Sequence, residues 1–273
     1  MNPLLPPAYL DAASVLRASK SSFLPAFRLL PAERRTDLET LYAFCRAADD
    51  IADAEGYATA HRYAALEAWR TGFRDPEFRG LPDNLSDLIR RRALDRSLFL
   101  ELLDGTATDL ISPVRMATRA DLDVYCHRVA GTVGQLCLPI FGADPQRAKP
   151  YAETVGRALQ YTNILRDTKT DLARGRVYYP VDELSAAGVG EFPKKAQNYL
   201  RSFAQTTEAL FEQASALSPH EDSPTLRPAR IMASIYRSLL HKMQRDGMRV
   251  TEKRYRLSAP EKLLAIGRAL LAQ

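Results

Sequence analysis

The chain has 273 residues, 46% hydrophobic and 26% charged, which is the composition of an ordinary globular protein. Its formal charge of +5 and pI near 9.1 suit an anionic ligand or the face of an anionic membrane. The basic clusters at 90–92, 194–195 and 249–256 are not interleaved with stacking aromatic residues, so nucleic acid is not an expected partner.

Three features of the sequence bear on the cellular location of the protein: its cysteines, its N-terminus and its most apolar window. Cys45, Cys126 and Cys137 form no C-x-x-C pair, and their small, odd number fits a reducing compartment. The N-terminal segment lacks the cationic leader and apolar core of a secretory signal. The window 129–143 is too short to span a bilayer and is interrupted by glycine and proline. We therefore expect a cytoplasmic protein that contacts membranes peripherally.

Helical periodicity runs through the chain, and alternation typical of strands is absent at any useful length. Pro31 stands where the first turn of a helix tolerates proline, and it opens a long helix. The breaks are short and rich in Pro, Gly, Asp and Ser. The other predicted helices, in chain order, are 9–19, 22–30, 58–73, 85–103, 119–141, 146–172, 194–217, 224–247 and 260–272. The sequence thus predicts one all-α domain over residues 1–273, a helical array around a cavity or core.

The stretch 41–53, LYAFCRAADDIAD, has apolar residues at three- and four-residue steps and is predicted to be an amphipathic helix. Asp49 and Asp53 lie one turn apart on it, with side chains turned by only about 40° from one another. Two carboxylates so placed repel each other, and a hard divalent cation would neutralise them. Spacing alone proves little, because Asp83 and Asp87 share it in a segment typical of a solvated helix start.

A second acidic face follows more than a hundred residues later. Gln160, Asn163, Asp167 and Asp171 recur at steps of three, four and four, so one helix face offers two amides and two carboxylates. A solvated acidic face would not explain the amides or their apolar neighbours. We call the acidic face that carries Asp49 and Asp53 and the one that carries Asp167 and Asp171 the two carboxylate walls. Two such walls can hold magnesium ions that also bind phosphate oxygens. The pattern therefore predicts cleavage of a carbon–oxygen bond to diphosphate, with an apolar cavity keeping the carbocation from water.

The longest interruption of the helical pattern is residues 174–193, RGRVYYPVDELSAAGVGEFP. It begins with arginines, which would add bidentate contacts to a diphosphate. It is predicted to contain a turn and a short helix after Pro180. A loop of this kind can close over a site.

Six ordered motifs resemble those of the squalene and phytoene synthases. They are Ser21-Ser22-Phe23, LLP-x-x-x-R at 29–35, YAFCRAADDIAD, YCHRVAGTVG at 125–134, QYTNILRDTKTD at 160–171 and RGRVYYP at 174–180. Within the family, LYAFCR, RVAGTVG and VDELSAAGV most resemble the bacterial presqualene diphosphate synthases of the hopanoid pathway. The segment DGTATDL at 104–110 departs from the acidic, methionine-bearing run usual in related bacterial enzymes, which counts against that subgroup but not against the family.

The resemblance implies an isoprenoid-synthase fold and head-to-head coupling of two prenyl diphosphates, with magnesium or, in its place, manganese. The implied metal ligands are Asp49, Asp53, Asn163, Asp167 and Asp171. The implied substrate-binding residues are Ser22, Phe23, Arg46, Gln160, Asn163, Arg166, Arg176, Tyr236 and Arg254. The implied catalytic residues are Tyr42, Arg46, Asp49, Asp53, Asp167, Asp171 and Tyr178. The aromatic members match positions near the reacting carbons, where a π face stabilises a cation.

The leading interpretation is a peripherally membrane-associated transferase that joins two farnesyl diphosphates into presqualene diphosphate, for use by downstream isoprenoid enzymes. Alternatives of the same class are phytoene or dehydrosqualene synthesis, and conversion of presqualene diphosphate to hydroxysqualene or squalene. Reduction to squalene would need NADPH, for which no G-x-G-x-x-G motif follows a strand, and the first half-reaction needs none. A different class is a helical scaffold that binds metal or a lipid diphosphate without turnover. The paired, amide-flanked aspartate helices argue against that class.

Overall fold

The computed structural model describes residues 6–18, 30–111, 113–190, 192–193, 195–219 and 224–271. Its α-helices are α1 (Ala12–Ala18), α2 (Ala32–Ala52), α3 (Thr59–Arg74), α4 (Asp83–Arg92), α5 (Arg96–Thr108), α6 (Arg119–Cys126), α7 (Thr132–Phe141), α8 (Pro145–Ala173), α9 (Val181–Ala186), α10 (Gln197–Leu217), α11 (Arg227–Arg245) and α12 (Ala259–Leu271). A π-helical segment, His127–Gly131, joins α6 to α7. Within the described ranges, extended pairing is limited to one parallel bridge between Arg115 and Val177. The all-α prediction is confirmed.

Most predicted helices agree with the structure to within three residues at either end, and the short helix predicted after Pro180 is α9. The single helix predicted over 85–103 is wrong. Ala93 has a left-handed backbone with φ of 48°, and the Asp95 carboxylate caps α5 by accepting a hydrogen bond from the Ser97 backbone N–H. The helix predicted over 22–30 lies almost wholly outside the described residues.

Two long helices organise the packing. The first, α2, contacts α1, α3, α4, α5 and α7, whereas α8 contacts α6, α7, α10, α11 and the π-helical segment. The Asp144 carboxylate caps α8 by accepting hydrogen bonds from the backbone N–H groups of Gln146 and Arg147, at 2.9 and 3.4 Å. The helix then runs for 29 residues. Most of the fold is therefore arranged around α2 and α8.

Aromatic clusters hold the outer faces of these helices. On α2, Phe44 packs edge to face against Trp69, Phe73 and Phe99, with ring centroids 5.1 to 5.3 Å apart. On α8, Tyr161 stacks on Phe203 of α10 at 4.9 Å. These contacts leave the other faces of α2 and α8 to line an internal cavity.

A buried ion pair ties α2 to α4. The Asp37 side chain is about 1% exposed and binds Arg91 and Arg92, each at 2.7 Å. A buried carboxylate needs such partners, because an unpaired charge in the protein interior is strongly destabilising. Two arginines of the basic cluster 90–92 thus hold a buried carboxylate of the fold.

The backbone of α8 comes into direct contact with those of α7 and the π-helical segment. A Cβ atom added at Gly134 would lie 2.6 Å from the carbonyl oxygen of Ala152, and one added at Gly156 would lie 2.6 Å from that of Ala130. No side chain fits in either place. Both glycines also line the cavity.

Candidate active site

A cavity of about 1430 Å³ lies between α2 and α8, and residues of α5, α6, α7 and α11 complete its wall. This volume exceeds the roughly 300–1,000 Å³ typical of a pocket for one small ligand. Charged residues occupy the C-terminal ends of α2 and α8, and apolar residues line the preceding turns. The apolar lining includes Leu38, Leu41, Val133, Cys137, Phe141, Val155, Leu159, Met232, Ile235 and Leu239.

The cavity face of α2 presents Tyr42, Arg46, Asp49 and Asp53 at steps of four, three and four residues. The Asp49 carboxylate is exposed to the cavity, and protein atoms crowd around it. This burial raises the pKa of Asp49, Arg46 opposes the rise, and nearby carboxylates, with Asp53 foremost, add to it, so that the pKa reaches about 7. Arg46 also pairs with Asp50, one turn further on.

The charged ends of the two helices are bridged by the loop that follows α8. Arg174 Nη1 donates to Asp53 Oδ2 at 2.8 Å, and Arg176 Nη1 donates to Asp53 Oδ1 at 2.7 Å. The chain reaches this position through a turn at Gly175, whose φ is +72°. The two acidic stretches, more than a hundred residues apart in sequence, therefore lie at one end of one cavity.

The aspartates of α8 differ in their environment. Burial acts to raise the pKa of Asp167, but Arg166 and Arg254 outweigh it and hold this pKa below its usual value. Arg254 Nε lies 2.6 Å from Asp167 Oδ1. The pKa of Asp171 is raised to about 7 by burial and then by Asp167, with Arg176 opposing. Each wall thus has one carboxylate stabilised by two arginines and one with a raised pKa.

The other predicted residues have these positions. Gln160 and Asn163 line the cavity on α8, and Asn163 Nδ2 donates to Gln160 Oε1 at 3.2 Å. Tyr178 and Tyr236 also line it, and Tyr236 is hydrogen-bonded to Arg166. The predicted substrate-binding residues Ser22 and Phe23 lie outside the described residues.

Sequence analysis missed a buried carboxylate between two tyrosines. Tyr178 Oη donates to Asp109 Oδ1 at 2.7 Å, and Tyr125 Oη donates to Asp109 Oδ2 at 3.0 Å. The two tyrosine rings stack with centroids 5.0 Å apart. Tyr125 begins the YCHRVAGTVG motif, which was a usable signal, but no sequence spacing links Asp109 to partners 16 and 69 residues away.

The oxygen donors of the two walls fit a hard divalent cation. Asn163 Oδ1 is buried and has no hydrogen-bond partner among the described residues. Across the same residues, no three Asp, Glu, His or Cys side chains are close enough together to hold an ion unaided. Magnesium does not require such a cage, because it is usually bound by one or two protein carboxylates together with water and substrate phosphates. The raised pKa values of Asp49 and Asp171 show where added positive charge is most favourable.

Comparison with known proteins identifies the class. The sequence model described as squalene/phytoene synthase matches residues 16–261. A presqualene diphosphate synthase of Zymomonas mobilis is 35% identical over 252 residues, covering 89% of this chain and 86% of that protein. A phytoene synthase of Thermus thermophilus is 35% identical over 271 residues, covering 94% and 91%. The crystal structure of a dehydrosqualene synthase in complex with ligand matches with a TM-score of 0.83 at 25% identity, covering 96% of this chain and 94% of that one.

The chain belongs to the squalene/phytoene synthase family and is a prenyltransferase. The predicted family, the isoprenoid-synthase helical fold and the enzyme class are confirmed. Members of this family use prenyl diphosphates and generally depend on a divalent metal. The matched relatives carry different product names, so family membership does not assign a product.

The raised pKa values predict how stability depends on pH in protein freed of divalent metal. Asp49 and Asp171 have a pKa of about 7 when folded against an ordinary value of 3.8, so between these pH values the folded chain binds more protons than the unfolded chain. Their contribution to stability therefore falls as pH rises from about 4 to about 7. Asp49→Asn removes one of these groups. The Tm of the variant minus that of wild type should therefore increase by a few degrees as pH rises from about 4 to about 7.

Thermal melts followed by circular dichroism at pH 5 and pH 7.5 measure this difference. Magnesium at pH 7.5 should reduce it, because cation binding favours the ionised carboxylate. A difference in Tm between variant and wild type that is the same at both pH values would contradict the assigned pKa of Asp49.

Proposed function

We propose that this chain condenses two molecules of farnesyl diphosphate into presqualene diphosphate and releases pyrophosphate. The observation that carries the proposal is a large cavity in which apolar side chains line one part and two carboxylate walls with several arginines lie at one end. Its volume suits two prenyl chains rather than one. Relatives named presqualene diphosphate synthase, 33 to 35% identical, support this choice of product.

Arginines would bind the diphosphate groups. Arg174 and Arg176 hold Asp53, and Arg166 and Arg254 hold Asp167, so all four guanidinium groups already lie at the charged end of the cavity. Each guanidinium offers paired donors that match two phosphate oxygens. Binding energy at the diphosphate then fixes the reactive carbons of the substrates relative to the cavity wall.

The residues that would hold divalent cations are Asp49, Asp53, Asn163, Asp167 and Asp171. Magnesium bound there would neutralise the negative charge that develops as pyrophosphate departs. The aspartates and the arginines both line this end of the cavity, so the protein itself can spread this charge over several groups.

In the proposed reaction the carbon–oxygen bond of one substrate breaks and pyrophosphate leaves with both bonding electrons. The double bond of the second substrate then supplies the electrons for a new carbon–carbon bond, and loss of a proton closes the cyclopropane ring. The faces of Tyr42 and Tyr178 are available to stabilise positive charge. Burial and then Asp109 raise the pKa of Tyr125 and Tyr178, so these phenols stay protonated and the released pyrophosphate is the better proton acceptor.

A second candidate is phytoene synthesis from two molecules of geranylgeranyl diphosphate. It is supported by phytoene synthases from Thermus thermophilus and Mycobacterium tuberculosis, which are 35% and 34% identical to this chain. In either case we propose that residues 1–273 act as one catalytic domain in the cytoplasm, at a membrane surface, and that a downstream isoprenoid enzyme consumes the product. NADPH has no part in the proposed condensation.

The test is incubation of the purified protein with farnesyl or geranylgeranyl diphosphate, in magnesium or EDTA, with and without NADPH. Pyrophosphate is quantified and the organic product is identified by mass spectrometry. We expect presqualene diphosphate from farnesyl diphosphate with magnesium alone, and one pyrophosphate for every two substrates. Phytoene from the longer substrate alone would select the second candidate. Failure of both substrates to release pyrophosphate would remove the enzyme proposal and favour the binding scaffold.

A further inference from the structure

We propose that the outer face of α12 docks the protein on an anionic lipid bilayer. Four of the five exposed leucines among the described residues lie on this helix, with exposed fractions from 37% to 87%. They are Leu263, Leu264, Leu270 and Leu271. At about 100° per residue these positions fall within an arc of about 120°, so they form one continuous leucine face.

This leucine face is not needed to attach α12 to the fold. The helix packs on α11 through its opposite side, where Ala265 and Ala269 are buried. Ser234 Oγ also donates to the backbone oxygen of Ala265 at 2.7 Å. A surface helix of a globular protein ordinarily buries its large apolar residues and exposes polar ones, which is the reverse of this arrangement. A contiguous exposed apolar face of this kind marks an interaction site.

The charge around the leucine face indicates what covers it. Residues 242–271 contain eight lysines and arginines against three aspartates and glutamates, a net charge of +5 that equals the formal charge of the whole chain. Arg268 is exposed on α12 and borders the arc of the leucines. A second copy would bring an equally positive segment against this one, which like-charge repulsion opposes. Anionic lipid headgroups attract such a segment while the acyl region accepts leucine side chains.

The position of the helix next to the cavity gives this docking a role. Leu257, just before α12, and Lys262, in its first turn, both line the cavity. Arg254 in the preceding loop binds Asp167. A bilayer held against α12 would therefore lie near the charged end of the cavity. If the proposed function holds, this placement favours entry of prenyl diphosphates from the lipid interface.

The attachment would be peripheral. In the part of the chain that the structure describes, no helix combines the length and hydropathy needed to cross a bilayer. The leucine face instead has the features of an interfacial helix, which lies in the membrane plane with its apolar side among the acyl chains.

The test is co-sedimentation of the full-length protein, without substrate, with vesicles of phosphatidylcholine alone or with 30 mol% phosphatidylglycerol. We expect the partition coefficient for the mixed vesicles to be about tenfold higher than for neutral ones, and to fall with added salt. The double variant Leu263→Gln/Leu264→Gln should reduce it by about tenfold. Val124→Gln, which changes a half-exposed residue of α6, is the matched control and should bind as wild type does.

Circular dichroism and light scattering complete the design. The leucine variant should keep its helix content, since both side chains are exposed. Equal binding to both vesicle types, or full binding by the leucine variant, would overturn the proposal. So would a wild-type dimer that becomes monomeric in the leucine variant, because a second copy would then be the occupant. Vesicle binding is measured without turnover, so its result does not depend on the proposed condensation. Membrane docking can fail while the condensation is confirmed, and the condensation can fail while docking is confirmed.

Discussion

Asp49→Asn and Asp171→Asn are each expected to reduce metal-dependent pyrophosphate release by at least about 1,000-fold while leaving the helical fold intact. Each substitution keeps the size of the side chain and removes one negative charge at the end of the cavity. Both carboxylates have a pKa raised by burial to about 7, so removing their charge relieves repulsion in the folded protein. Steady-state pyrophosphate release and the Tm measure the two effects.

Asp83→Asn is the matched control, because Asp83 and Asp87 have the same four-residue spacing at the exposed start of α4. We expect it to retain activity within about twofold. Asp53→Asn and Asp167→Asn should also abolish turnover, but with a loss of stability, because each leaves two arginines without their carboxylate. Wild-type activity in any of the four site variants would refute its assignment as a metal ligand.

Asp109→Asn is expected to lower kcat by about 100-fold, with a smaller change in KM. Asp109 accepts hydrogen bonds from Tyr125 and Tyr178 at once, and an asparagine has only one side-chain oxygen for these two donors. One of the two tyrosines must then rotate to find another acceptor. This rotation disrupts the stacking of the Tyr125 and Tyr178 rings and moves one ring from its position in the cavity. We regard Asp109 as a positioning residue, so transition-state binding should suffer more than substrate binding.

The control for this experiment is Asp104→Asn, in the same DGTATDL segment, where the carboxylate binds Arg70 at 2.8 Å on the protein surface. Tyr178→Phe removes one of the two hydroxyl donors and supplies the second arm of a double-mutant cycle with Asp109→Asn. If the two substitutions act through the same contact, the double variant will be less impaired than the product of the single effects. Strict multiplicativity would show that the hydrogen bond between Asp109 and Tyr178 has no catalytic effect. A kcat for Asp109→Asn near that of wild type would refute the positioning role of Asp109.

Much of the fold followed from local rules. The apolar period and the proline and glycine breaks were sufficient to predict α2, α8 and most other helices, because an amphipathic helix is encoded within its own sequence. The break at Ala93 was missed for a related reason. Leu94 remains buried there, so the apolar pattern continues through a residue whose backbone is left-handed. The π-helical segment likewise left no distinct mark on the periodicity of α6 and α7.

The site was predictable only in part. Spacing placed Asp49 and Asp53 on one helix face and Asp167 and Asp171 on another, and the structure brings these faces to one cavity. The division of the aspartates into arginine-bound and raised-pKa members was not predictable, because it depends on a loop crossing between helices. The position of Asp109 depends in the same way on tertiary contacts, which no motif in a single sequence records.

The glycine contacts that α8 makes with α7 and the π-helical segment limit how product size could be redesigned. Gly134 and Gly156 touch the backbone of the facing helix, so a larger side chain at either position must separate the helices and not merely fill space. The width of the cavity at this level is therefore a property of the main chain. Chain-length specificity is better altered at cavity-lining side chains that are only partly buried, such as Val133 and Met232. A library directed at these two partly buried positions should change product length with less loss of folded protein than one directed at the glycines.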